Sequence, residues 1–305
     1  MLPIFPSNAR VAFIGDSITA ENLALQWIIR AYKHLGYANI RFFNCGVAGG
    51  TAEFAVESYE KDIKRYRPTH AVVSFGINDS RRELLALKRD EKRLNELTAA
   101  YENYKKNMSA LVDMLLADGV DVTLATPFPY DEYAESPEKP LPGGYALMLA
   151  YSEYVRLLAK EKGVKLYDAN AKLSRVMASE RVFSEDRIHP DAHGYYILAR
   201  EFLSEQGVDV GAEEPLPEYF SRWHSYVARL RKVLASECML VKLLGMKFDS
   251  PTEEKMALML DKVERRDFGR PVFESFYRSY VADKPNEAEL YRLIDETYEK
   301  EIMLI

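Results

Sequence analysis

The chain has 305 residues, is 48% hydrophobic and 29% charged, and carries a net charge of −6. That length exceeds one comfortable core, so a catalytic-size domain plus a further module is expected of an ordinary globular composition. Arginines and lysines such as Arg81-Arg82 and Lys88-Arg89 are interleaved with Glu and Asp, which leaves no basic footprint for nucleic acid.

Strand-like runs at about 10–14, 39–44, 70–75, 121–125 and 164–167 alternate with amphipathic segments near 22–35, 52–64, 98–118, 144–162 and 192–205. Alternation of this kind predicts an α/β domain, a parallel sheet with helices on both faces. Residues 80–97 form a charged insertion after the third strand. Residues 126–143 form a second one, with five prolines and with Tyr130 and Tyr133, placed to act as a pocket wall. From Val208 to Pro217 the composition becomes that of a linker, and the remainder shows helical periodicity only. Ser250-Pro251-Thr252-Glu253 has the pattern of a capping box, and Asn286 with Glu289 opens a second helix. Phe220, Trp223, Tyr226 and Leu230 recur at three- and four-residue spacing, one apolar stripe. The expected division is a catalytic domain over 1–210 and an all-helical C-terminal extension over 215–305. A homodimer built through that extension is one expectation.

The N-terminus lacks a basic region followed by a long apolar core, and no run reaches the ~18 apolar residues of a membrane span. A cytoplasmic location is the default expectation. Cys45 and Cys238 lie far apart without metal-ligand or redox spacing, so no metal site is expected.

The first strand runs Val11-Ala12-Phe13-Ile14 into Gly15-Asp16-Ser17, and a helical pattern follows. A hydroxyl at a strand-to-helix turn sits at the carboxyl edge of a parallel sheet, where such folds bind ligands. A serine there is also a good helix cap. Its partners follow in order: Asn44-Cys45-Gly46-Val47-Ala48-Gly49-Gly50 after the second strand, Gly76-Ile77-Asn78-Asp79 after the third, and Asp186-Arg187-Ile188-His189-Pro190 after the fifth.

With these four blocks in this order, the chain resembles the SGNH (GDSL) hydrolase superfamily over roughly residues 10–205. The lettered residues of that family match Ser17, Gly46, Asn78 and His189. The resemblance implies a flavodoxin-like three-layer α/β/α sandwich with five parallel strands in the order 2-1-3-4-5. It implies a serine esterase that needs no cofactor, acting on a small-molecule ester. Ser17 is the nucleophile, and the oxyanion is held by the N–H groups of Ser17 and Gly46 and by the Asn78 amide.

The residue types suit that chemistry. A serine hydroxyl needs a base in hydrogen-bond reach, and imidazole titrates near the working pH. An aspartate on the other ring nitrogen fixes the tautomer, and Asp186 stands three residues before His189. Pro190 disfavours helix at His189, so the next helix starts afterwards, with Asp191 as its cap. His193 is a rival base without an acid three residues upstream, and His70 precedes the third strand, at the wrong end of the sheet. Asp168 reads as a structural strand-end group. The glycine-rich second block leans toward short acyl groups, acetyl esters of carbohydrates in particular. A lysophospholipase, thioesterase or acyltransferase with the same site is the near alternative. A binding or scaffold protein with a vestigial site, assembled through the helical extension, is the alternative of another class.

Overall fold

The computed structural model describes residues 1–36 and 40–213. The helical extension expected over 215–305, with its capping boxes, apolar stripe and dimer role, lies outside the described residues.

Five strands form one parallel sheet: β1 (Arg10–Gly15), β2 (Arg41–Gly46), β3 (His70–Ser74), β4 (Asp121–Ala125) and β5 (Lys165–Tyr167), in the spatial order β2-β1-β3-β4-β5. The helices are α1 (Ser17–Ala20), α2 (Leu23–His34), α3 (Ala52–Glu57), α4 (Tyr59–Asp62), α5 (Glu91–Ala117), α6 (Gly144–Lys162), α7 (Ala169–Val176) and α8 (Ala192–Glu205). The expected flavodoxin-like sandwich and strand order are therefore present.

The strands are apolar on both sides because helices cover both faces. On one face Ala12, Ile14, Val73 and Leu124 of the sheet pack with Tyr104, Met108 and Leu111 of α5 and with Met148, Tyr151 and Val155 of α6. On the other, α2 lies against α8 and α7 beside it. Phe202 of α8 meets Phe13 of β1 edge-on, with ring centroids 5.9 Å apart. Because β1 leads to β2 on one side while β3 lies on the other, a crevice opens at the carboxyl ends of β1 and β3, where ligands bind in such sheets.

Helix boundaries follow local chemistry. Thr51 caps α3 by accepting from the Phe54 N–H, and Asp90 starts α5 by accepting from Arg93. Asp90 extends that helix upstream of the expected 98–118 segment, and a 3-10 turn at Arg82–Ala86 lies within the preceding insertion. The segment expected as one helix over 52–64 breaks at Ser58 into α3 and α4. Helix α7 was not among the expected elements; Asp168 caps it by accepting from Ala171. No helix among the described residues is long and apolar enough to cross a membrane.

Candidate active site

At the end of β1 the register sets Gly15 beside Gly46 of β2 and Ser74 of β3. Asp16 then leaves the strand in extended conformation, and its carboxylate caps α1 by accepting from the Ile18 N–H at 3.0 Å. Ser17 is therefore the first helical residue, and its N–H has no acceptor among the described residues.

His189 arrives from the far end of the domain on a loop closed by its own backbone. Ser184 N–H donates to the His189 carbonyl at 2.7 Å, and Arg187 N–H to the Ser184 carbonyl at 3.0 Å. Asp191 caps α8 by accepting from Gly194, as expected, so the helix anchors this loop. Nε2 of His189 lies 2.7 Å from Ser17 Oγ, and Nδ1 lies 2.5 Å from Asp186 Oδ2. The other oxygen of Asp186 accepts from the Ile188 N–H, the His189 N–H and the Ser184 hydroxyl, each at 2.9 Å. Burial opposes charge on Asp186, but the bond to the His189 ring and these three donors outweigh it and pull its carboxyl down to about 2. Asp186 thus stays an acceptor at neutral pH and holds the imidazole with Nε2 toward the serine.

Of the three groups expected to face an oxyanion, two are free to do so. Asn78 donates one amide N–H to the Gly50 carbonyl at 3.0 Å, while its oxygen accepts from the Arg82 guanidinium at 3.4 Å. A carbonyl can only accept and a guanidinium only donate, so these neighbours fix the amide orientation and leave its second N–H available. The Ser17 N–H is likewise free. Gly46 requires a correction: its N–H already donates to the Asn44 side-chain oxygen at 2.9 Å. Its Cα is pressed against α1, so that a Cβ would lie 2.4 Å from the Ala20 nitrogen. Glycine is needed there for close packing, and the N–H left free on this loop is that of Gly49. A turn closed by Gly50 N–H to the Val47 carbonyl at 2.8 Å carries Gly49 at φ 75°, and the Gly49 N–H has no acceptor among the described residues. The same turn touches Asn78 through Gly50.

Two further carboxyls lie beneath the site. Asp16 is 5% exposed, and burial raises it to about 6. Asp79 ties the Asn78 loop to α3 by accepting from the Ala52 N–H at 2.8 Å, while its other oxygen is buried without a partner. Burial raises Asp79 to about 7, and the charge of Asp16 adds to the effect.

The rivals fall elsewhere. His193 sits on α8, bonded to Glu213 at 2.7 Å and Glu180 at 3.2 Å, so both ring nitrogens are engaged away from Ser17. His70 opens β3 at the opposite edge of the sheet. Asp168 is structural, held by both arms of Arg156 at 2.9 and 3.0 Å. Among the described residues no cluster of three or more His, Cys, Asp or Glu is arranged to hold a metal.

The proline-rich insertion does border the site. Asp16, Ile18 and Ile188 enclose a small space with Pro127, Phe128 and Pro129, about 10 Å³ in volume. Arg187, inside the Asp186–His189 loop, reaches into the same insertion and is 3% exposed. It donates to the carbonyls of Asp131, Ala134 and Glu138 at 2.7–3.0 Å. Tyr133, between the first two of these carbonyls, is 79% exposed. Composition marked the loop as a wall, but nothing in it signalled Arg187.

Fold and site together define the class: a doubly wound α/β protein with a strand-end serine in hydrogen-bond contact with a His–Asp pair at the carboxyl edge of the sheet. The chain belongs to the GDSL-like lipase/acylhydrolase family, whose model matches residues 13–197, and is a carboxylic ester hydrolase of the SGNH superfamily. It is 26% identical to an acetylxylan esterase of Geobacillus stearothermophilus over 224 residues, which cover 67% of this chain and 96% of that protein. A crystal structure of a catalytic mutant of that esterase superposes with TM-score 0.57 and 23% identity over 69% of this chain and 99% of the other. A gut microbial diltiazem-metabolizing enzyme superposes with TM-score 0.61 and 26% identity over 68% of this chain. The match covers 48% of that enzyme, so this chain spans about half its length.

Proposed function

We propose that this protein removes acetyl groups from carbohydrate esters through an acyl-enzyme on Ser17. The observation that carries the reading is the continuous path from Ser17 Oγ to His189 to Asp186. His189 takes the hydroxyl proton as Oγ bonds to the ester carbonyl carbon. The oxyanion that forms is met by the N–H groups of Ser17 and Gly49 and by the free amide N–H of Asn78. His189 then passes the proton to the departing alcohol oxygen. Water, deprotonated by the same ring, releases acetate and restores Ser17.

The acetylxylan esterase relative supports a carbohydrate acetate as the substrate class. One observation favours longer acyl groups: a cavity of about 70 Å³ behind Ile18 and Phe128, lined by Phe13, Val72, Leu198 and Phe202. Hydrolysis of a p-nitrophenyl ester series from acetate to decanoate decides between them. Acetate is expected to give the highest kcat/KM, and acetylated xylo-oligosaccharides are expected to release acetate. A maximum at octanoate or beyond would move the reading to a lipase or thioesterase. Ser17→Ala is the control, expected to lose on the order of 10⁴–10⁶ in kcat, and retained turnover would remove the acyl-enzyme mechanism altogether.

A further inference from the structure

We propose that Arg187 is a positioning residue for catalysis: its guanidinium locks the loop carrying Asp186 and His189 to the 131–138 segment and so holds the histidine in register with Ser17. The inference rests on the assignment of Ser17, His189 and Asp186 as nucleophile, base and acid. Arg187 bonds to none of the three side chains. Its Nε and Nη2 donate to the Glu138 carbonyl at 3.0 and 2.7 Å, and its Nη1 donates to the carbonyls of Asp131 and Ala134, each at 2.9 Å. No carboxylate among the described residues is bonded to this buried cation; backbone carbonyl oxygens solvate it instead.

Those carbonyls are themselves fixed. Glu132 accepts from the Gly143 and Tyr145 N–H groups at the start of α6, and the Tyr130 hydroxyl accepts from the Leu141 N–H. Two more bonds run beside the guanidinium. Asp131 N–H donates to the Arg187 carbonyl at 3.1 Å, and the Ser136 hydroxyl donates to the Glu185 carbonyl at 2.6 Å. The backbone of Arg187 takes part as well, with φ 67°. That left-handed step reverses the chain between Asp186 and His189, which brings the Ile188 and His189 N–H groups back onto the Asp186 carboxylate. The loop's own bonds and the Asp191 cap fix its shape, but its register against the 131–138 segment needs a further tie. A planar fork that bonds three carbonyls at once supplies it, and the point charge of a lysine does not.

The test uses Arg187→Gly in the full chain, because glycine adopts a φ of 67° without strain while removing the side chain. With folding verified by circular dichroism, kcat on p-nitrophenyl acetate is expected to fall about 10²-fold, the loss typical of a 1 Å misplacement, with KM changed far less. Phosphorylation of Ser17 by a small neutral organophosphate, which expels its leaving group, should slow by the same factor, since it reports the Ser–His pair without substrate fit. Added propylguanidinium should restore part of kcat in a saturable way, and propylammonium should not. A folded Arg187→Gly with wild-type kcat, or with only KM raised, would overturn the proposal. Should the glycine variant fail to fold, Arg187→Lys decides: it is expected to keep the fold and lose kcat, and a wild-type kcat there overturns the proposal equally. Activity surviving in Ser17→Ala would instead strike the triad assignment itself.

Discussion

Ser17 and His189 are 172 positions apart in the chain and 2.7 Å apart in space, yet both were legible in the sequence. Each sits in a short block whose local rule is strong: Gly-Asp-Ser at a strand end, and an aspartate three residues before a histidine and a proline. Gly46 shows where that legibility stops. Two glycines three positions apart look equally suited to face a ligand. Only the Asn44 side chain, bonded to the Gly46 N–H, shows that Gly46 serves packing and Gly49 is free. Arg187 was illegible for a stronger reason, since its partners are carbonyls about fifty positions upstream and any residue supplies a carbonyl. Asn78 allows a direct check at this scale. An oxyanion donor acts mainly in the transition state, so Asn78→Ala is expected to lower kcat by about 10²–10³ with little change in KM. A raised KM at unchanged kcat would place Asn78 in ground-state binding.

Among the elements, helices with clear caps and long apolar faces were found by pattern; α6 falls on the expected 144–162. The eight-residue α7 was missed because it is too short to show a period and is defined by one bond from its Asp168 cap. The loops that follow β1 and β3 contain the feature least visible from sequence, two carboxyls buried within one site. Asp16 and Asp79 are raised to about 6 and about 7, against 3.8 when unfolded. The folded state therefore prefers them neutral, and binds more protons than the unfolded chain between pH 4 and 7. Their favourable contribution is complete below pH 4 and is lost as pH rises through 6 and 7. Asp186, pulled down to about 2, works in the opposite sense: its contribution is present above pH 4 and is lost as pH falls toward 2. Asp79→Asn keeps an acceptor for the Ala52 N–H and removes the titration. It is expected to raise stability at pH 8 by on the order of 2 kcal/mol and to leave it nearly unchanged at pH 4. Thermal unfolding of both proteins across pH 4–8 reads this out; parallel curves would mean that Asp79 carries its charge in the fold without penalty.

At the scale of the whole molecule, every group of the proposed reaction lies within residues 15–190, while the chain continues for more than a hundred residues beyond. The described part is tied together at both ends. Leu2 N–H donates to the Glu205 carbonyl at 2.7 Å, Tyr196 to the Gly211 carbonyl at 2.9 Å, and His193 is bonded to Glu213. Val208 and Val210 are buried, so a cut at residue 210 would strip contacts from α8. A cut after Glu214 leaves them intact. The acetylxylan esterase relative aligns over 96% of its own length with two thirds of this chain, so an esterase of this family needs no counterpart to the remainder. Residues 1–214 are therefore expected to fold alone and to hydrolyse p-nitrophenyl acetate with kcat within a few-fold of the full chain. Beyond residue 214 the sequence alone speaks: Phe220, Trp223, Tyr226 and Leu230 recur at three- and four-residue spacing, an apolar pattern of the kind a partner buries. Self-association through it is the expected role, so light scattering should give a doubled mass for the full chain and a single mass for residues 1–214. Equal mass states with a changed ester preference would assign the extension to the pocket rim instead. Equal mass and an equal ester profile would remove both roles, and loss of folding in the truncated chain would show that the extension belongs to the catalytic core.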